Sequence, residues 1–285
     1  MTNLYSRSVR VTLWYPKNDA YFSQPDATNG VQIDDLKIEF SIDQTLEKNP
    51  NQCRLTITNL APDTRAFVER KPCSLKLEAG YSGNLATLFI GDVRYAKSKL
   101  DGVNWTTEME LADGGRAFTH ARVGESFRSG TDIRTVIQRT VDSFGLTLST
   151  DLSDSTFDSQ YIAGKTLHGK STEVLTRLLK PIGYTWSIQR GQLQILQPKK
   201  TDGRVAYVVD SDNGLIGSPE TAAPEKKGKA PVTTVTTLLD PRLYPGARVQ
   251  LKSAALSATL KLSKVQHAGC NLDGDFKTTF EGVPV

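Results

Sequence analysis

The chain has 285 residues, 38% of them apolar and 8% aromatic, which is enough to build cores in two or three domains. Lys and Arg number 35 against 31 Asp and Glu, so the formal charge is a mild +4. That spread excludes the clustered basic stripe of a dedicated nucleic-acid surface. The three cysteines, Cys53, Cys73 and Cys270, are odd in number and lack ligand-like spacing, which argues against a disulfide framework and for a reducing compartment.

The opening stretch MTNLYSRSVRVTLWYPKND lacks the apolar run of about 7–15 residues that a signal peptide needs. No segment approaches the roughly 18 apolar residues of a spanning helix. A chain that stays in the cytosol until used, without membrane insertion, is expected.

In chain order, Val9, Val11 and Leu13 alternate with Arg10, Thr12 and Trp14. A polar loop follows, with Pro16, Pro25 and Asn29-Gly30. Leu36, Ile38 and Phe40 then alternate with Lys37, Glu39 and Ser41, and Cys53, Leu55 and Ile57 with Arg54, Thr56 and Thr58. Pro62 can open a short helix through Val68, which Lys71-Pro72 ends. Glu78 to Phe118 reads as a glycine-punctuated β-meander. Leu88-Phe89-Ile90 is an apolar run closed by Gly91-Asp92, and Asp101-Gly102 is a hairpin signal. Trp105, Met109 and Leu111 are expected in the core, with Glu108 and Glu110 opposite. At least six short strands in the first 115 residues predict a sandwich or barrel.

The pattern changes near Arg116. Ile133, Val136, Ile137, Val141 and Phe144 share one helical face, with Asp132 near the start and Gly145 able to end it left-handed. Ser149 to Gln160 contains little that could pack. A second helix from Ser171 carries Val174, Leu175, Leu178 and Leu179, and Pro181 and Gly183 stop it. Tyr184, Trp186 and Ile188 then lead into a turn at Arg190-Gly191, and Leu193 and Ile195 return. From Lys200 the β character resumes at Tyr207 to Val209, Gly214 to Gly217, Val232 to Leu239, Arg248 to Leu251, Leu256 to Val265 and Phe276 to Phe280. Between them, Ser218 to Pro231 reads as a mobile loop. The expected architecture is α+β and mainly β: a β-domain at 1–115, an α+β domain at 116–199, and a second, smaller β-domain at 200–285.

Chemistry-bearing residues are sparse. His120, His168 and His267 are far apart and none sits in a zinc-binding helix pattern. Asp34-Asp35, Asp151/Asp154 and Asp210/Asp212 fall in turn contexts, where carboxylates satisfy backbone. Gly80, Gly83 and Gly91 form no phosphate loop. His267 lies three residues before Cys270, but catalytic dyads form through the fold and not through adjacency. No catalytic, cofactor or metal-binding residue is assigned, and an enzyme is not expected.

Three stretches, taken in order, resemble one family. Tyr81 to Phe118, with GYSG, LFIGDV and WTTEMELADGGRAF, resembles the first tube-like barrel of tailed-bacteriophage baseplate hub proteins. Leu178 to Pro198, LLKPIGYTWSIQRGQLQILQP, is similar to their helix-then-hairpin middle domain. GLIG at 214–217, LLDPRLYPGARVQL at 238–251 and KVQHAG at 264–269 resemble their second tube-like barrel. The resemblance implies two tube-like antiparallel β-barrels flanking the α+β domain. It implies a structural homotrimer that adapts a sixfold tail tube to a threefold spike, in a virion baseplate assembled in the host cytoplasm. It further implies as partners the tail tube protein, tail spike, tape-measure protein and baseplate wedge components, with transient contact to passing DNA. A related contractile injection machine would use a similar hub. The competing readings are a tail-tip module binding a receptor or carbohydrate, which needs an exposed aromatic platform, and a tail-borne cell-wall hydrolase, which needs motifs this sequence lacks.

Overall fold

Alternating apolar residues build the strands, and their inward faces define where each core lies. The computed structural model describes residues 6–15, 30–70, 72–223 and 230–285; the proline-containing loop read between Tyr15 and Gly30 lies outside them. Strand β1 (Arg7–Trp14) pairs with β2 (Gly30–Ile33) on one side and β5 (Ser74–Tyr81) on the other. The ladder continues through β6 (Asn84–Asp101), β7 (Asn104–Ala112), β4 (Gln52–Thr58) and β3 (Ile38–Thr45), all antiparallel. Val11, Ile38, Ile42, Leu55, Ile57, Leu77, Phe89 and Met109 pack into one core beneath it. Helix α1 (Pro62–Glu69) starts on its proline and buries Val68.

Gly91-Asp92 does not end a strand. Strand β6 runs 18 residues straight through it, pairing with β5 up to Asp92 and with β7 from there on. Gly91 permits this crossing, because a Cβ there would sit 2.6 Å from the Ala112 carbonyl oxygen. The hairpin expected at Asp101-Gly102 forms one residue later: Asp101 pairs with Asn104, and the turn is Gly102-Val103 with Gly102 at φ +61°.

The C-terminal strands join the same sheet. β17 (Ser257–Cys270) pairs with β16 (Arg248–Lys252) over its first residues and with β3 over its last, while β18 (Phe276–Pro284) runs along its other side. β15 (Val232–Leu238) and β14 (Leu215–Ala222) extend that side, and β13 (Tyr207–Val209) lies parallel to β16. The result is one 13-stranded sheet in the order β14-β15-β18-β17-β3-β4-β7-β6-β5-β1-β2, with β16 and β13 as a branch. The chain is mainly β and α+β. The two tube-like β-units do not appear as separate closed barrels: among the described residues the ladder stays open at β2 and β14. β17 is long enough to serve both units, so the edge of the first is capped by the second. A separate core of Val209, Val235, Val249, Leu251, Leu260, Leu262 and Phe280 underlies these strands.

The stretch read as a mobile loop at 218–231 begins as strand. Residues up to Ala222 pair with β15, and 224–229 lie outside the described residues. An edge strand exposed on both faces is held by its ladder hydrogen bonds and needs no apolar alternation, so the pattern hid it.

The middle of the chain has its own core. It holds α2 (Gly115–His120), α3 (Ile133–Asp142) and α4 (Ser171–Leu179), a β8 (Arg122–Phe127) and β10 (Lys165–Lys170) pair, and the hairpin β11 (Thr185–Gln189)–β12 (Gln192–Leu196) with β9 (Thr147–Leu148) beside it. α3 buries Val136, Ile137 and Val141, and Gly145 follows at φ +66°. Ser149 to Gln160 packs after all: Leu152 and Phe157 are buried, and the Phe157 ring lies 4.7 Å from Tyr184. No helix among the described residues is long and apolar enough to cross a membrane.

Candidate functional site

Two features stand out: a polar sheet face that runs across both β-units, and a buried joint that ties the middle unit to them. The first follows from register. Lys277, Ala268, Ser41, Arg54, Glu110 and Tyr95 stand side by side across β18, β17, β3, β4, β7 and β6. A parallel row holds Thr236, Thr279, Gln266, Asp43 and Gln52. Because side chains alternate with period two, every row on this face is turned from the core. The face therefore crosses seven consecutive strands, β15 to β6, without a break at the β17–β3 seam. Hydrogen bonds and ion pairs tie it laterally: Gln266 Nε2 donates to Asp43 at 2.5 Å, Lys99 Nζ sits 2.6 Å from Glu108, and Lys264 lies 3.6 Å from Glu281.

The charge on this face nearly balances. Glu39, Asp43, Asp101, Glu108, Glu110 and Glu281 oppose Arg54, Lys97, Lys99, Lys264 and Lys277, six against five. Lys99 holds the Glu108 carboxyl below its usual range, and Glu108 raises Lys99 in return. Glu108 and Glu110 point outward as the alternation predicts. Trp105 lies on the Met109 side but beyond the end of the core, 38% exposed, with the Arg65 guanidinium 3.9 Å above its ring.

The joint is built around the β11–β12 turn. Arg190 and Gly191 both adopt positive φ, +54° and +73°, as a two-residue hairpin turn requires. Their backbone N–H groups donate to the Asp113 carboxylate at 2.6 and 2.8 Å. Asn51 Nδ2 donates to the Ile188 carbonyl and to Gln189 Oε1, both at 2.9 Å, and Gln189 returns a bond to the Thr45 carbonyl at 2.7 Å. On the far side the Arg190 guanidinium donates to the carbonyls of Pro241 and Leu243 at 2.5 and 3.0 Å. One turn thus bonds to both β-units. Asp113 is fully buried, and burial pushes its carboxyl up to about 7 against the pull of its two backbone donors. Burial likewise takes Lys261 down to about 8, with its ammonium donating to the Gln197 and Pro198 carbonyls at 3.0 Å each. Burial and the Arg190 charge depress His267 to about 3, so its ring is neutral against Thr278.

The candidate residues of the sequence are not gathered into a reaction centre. All three cysteines are free and buried, and burial raises the Cys53 and Cys73 thiols. Asp154 caps a single helical turn and Asp210 another, while Asp34 pairs with Arg10 at 3.2 Å. Among the described residues one trio, Glu39, Cys270 and Asp273, brings metal-ligand atoms together. The Lys37 ammonium already lies 2.9 Å from Glu39 and 3.1 Å from Asp273, so that negative charge is met by the protein.

This arrangement of two β-units sharing a sheet, with an α+β unit inserted between them, is the fold of phage-tail and type VI secretion proteins. A prophage MuSo2 43 kDa tail protein from Shewanella oneidensis superposes with a TM-score of 0.63 at 12% identity, over 98% of both chains. A tail protein from Neisseria meningitidis MC58 gives 0.62 at 9% identity, over 98% of this chain and 97% of that one. The E. coli c3393 protein gives 0.58 at 10% identity, over 88% and 74%; it is a type VI secretion component similar in structure to the T4 tail proteins gp27 and gp5. No protein-family description and no curated protein matches the sequence itself.

Proposed function

We propose that this chain is a structural hub of a phage tail baseplate, or of a related injection machine, and not an enzyme. Three copies form a ring that joins a sixfold tail tube to a threefold spike and leaves a channel open for the genome. The observation that carries this reading is the polar face spanning both β-units in one sheet. At about 4.8 Å between strands, seven strands subtend roughly 34 Å of arc, and three copies give about 100 Å of wall, roughly 32 Å across between backbones. Each chain supplies two similar β-units, at 1–115 and 200–285, so a threefold body offers six to the tube above. The near-balanced, slightly acidic charge of the face suits a conduit, because a net basic wall would hold phosphates and slow passage. The unit at 116–199, which has its own core, is the part offered to baseplate wedge components. The tube, spike and tape-measure proteins are the further partners, the virion tail is its place, and the host cytoplasm is where it assembles.

The test is light scattering coupled to size exclusion, followed by negative-stain imaging. A trimer and a threefold ring with a central opening are expected; a monomer at all concentrations, alone and with tube protein, overturns the reading. Recognition of a receptor or carbohydrate finds no platform in the tryptophans. Trp14 and Trp186 are buried and Trp105 is roofed by Arg65.

A further inference from the structure

The joint holds a half-buried cation with no ion pair of its own. Arg190 Nε is buried without a hydrogen-bond partner, and the guanidinium's remaining bonds go to two neutral carbonyls. The nearby carboxylates are spent elsewhere. Asp113 gives both oxygens to the backbone of the turn, Asp202 accepts from the Tyr244 hydroxyl, and Asp240 is paired with Arg242 at 2.8 Å. Buried charges are normally paired, since an uncompensated one forfeits its hydration.

Beside this cation lies a cavity of about 220 Å³, lined among others by Gln189, Arg190, Gln194, Asp202, Arg204 and Tyr244. Gln194 is only 3% exposed, and its Oε1 has no partner. Its carboxamide can turn to offer its two N–H donors to an incoming acceptor. Arg190 and Arg204 both lie against the Tyr244 ring, at 4.8 and 5.7 Å, and Arg204 is ion-paired with Asp202 at 3.7 Å, so the two arginines and one carboxylate lining the cavity leave one net positive charge. With each water taking about 30 Å³, the space holds an oxyanion and several waters.

We propose that this cavity binds a small oxyanion or carboxylate between Arg190 and Arg204, with the Gln194 amide as a third donor. Its source is either a free tetrahedral anion or a carboxylate borne by another protein. The site does not depend on the hub reading.

The experiment measures thermal stability and calorimetric binding of the full chain in sodium phosphate and, separately, sodium acetate, against chloride at equal ionic strength. A saturable rise in melting temperature with phosphate or acetate is expected. Phosphate alone assigns a free tetrahedral anion, and acetate alone assigns a protein carboxylate. Arg204→Gln is expected to weaken binding by about tenfold or more, read as the anion-induced rise above the variant's own melting temperature in chloride. The absence of a saturable response to either anion overturns the proposal. So does a response unchanged in both Arg204→Gln and Gln194→Leu.

Discussion

Asp113 offers the sharpest test of the joint. Its folded-state carboxyl stands at about 7, above the ordinary 3.8, because burial outweighs two short backbone donors. The sign follows from linkage: a raised carboxyl contributes stability that is full below about pH 4 and lost as pH rises through about 7. At 1.36 kcal/mol per unit the whole window is worth roughly 4 kcal/mol, and the part between about pH 5 and pH 8 roughly 2 to 3 kcal/mol. Asp113→Asn removes this titration and exchanges one acceptor oxygen for a donor that faces a buried N–H, at a cost of about 1–3 kcal/mol. The native protein's stability relative to the variant should therefore be higher at about pH 5 than at about pH 8, falling by about 2 kcal/mol or more between them. Taking the difference cancels carboxyls that titrate the other way, such as Asp154 and Asp273, which their donors hold low. Urea titrations at the two pH values, followed by the fluorescence of buried Trp14 and Trp186, measure it. A difference constant to within about 0.5 kcal/mol would refute the reasoning and mean that the backbone donors keep Asp113 ionised.

Reversing Glu108 and Glu110 to Lys should leave the melting temperature of the isolated chain within a few degrees, as both are exposed, but should shift the size-exclusion profile away from the assembled ring. Unfolding of the isolated chain would show that the face has been misassigned. Gly91→Ala should destabilise by about 2–4 kcal/mol in denaturant titration, because its Cβ would meet the Ala112 carbonyl oxygen at 2.6 Å, where backbone cannot give way. Trp186→Phe should cost about 1 kcal/mol for the lost 3.0 Å bond from Nε1 to Thr176 Oγ1, plus the smaller ring, read as a lower urea midpoint with unchanged slope.

Strands with one wet and one apolar face were legible because their alternation is a local signal. β3, with Ile38, Phe40 and Ile42 inward and Glu39, Ser41 and Asp43 outward, needed nothing more. Helices α3 and α4 were legible by their stripes and by Gly145 and Gly183. Strand β14 was legible only at its start, Gly214 to Gly217; its continuation to Ala222 is largely exposed on both faces and carries no pattern. Leu152 and Phe157 were lost in a polar stretch for the opposite reason: two isolated anchors bury themselves without a period.

The joint was illegible in a different way. Arg190-Gly191 reads as a turn and is one, and Asp113-Gly114 makes another at the end of β7. What the local chemistry cannot express is that one turn's carboxylate closes on the backbone of the other, 77 residues away. The same holds for the seam at β17. Leu256 to Val265 reads as β in the second β-unit, and KVQHAG at 264–269 resembles its barrel, yet the last residues of β17 complete the first, from Lys264 opposite Thr45 to Cys270 opposite Glu39. Had each unit closed on itself, the polar faces would be two separate patches whose relative angle is set by a linker. Shared through β17, they are one wall whose curvature is fixed by ladder hydrogen bonds. In the proposed ring, that is the property that lets a three-chain body keep a channel of constant bore.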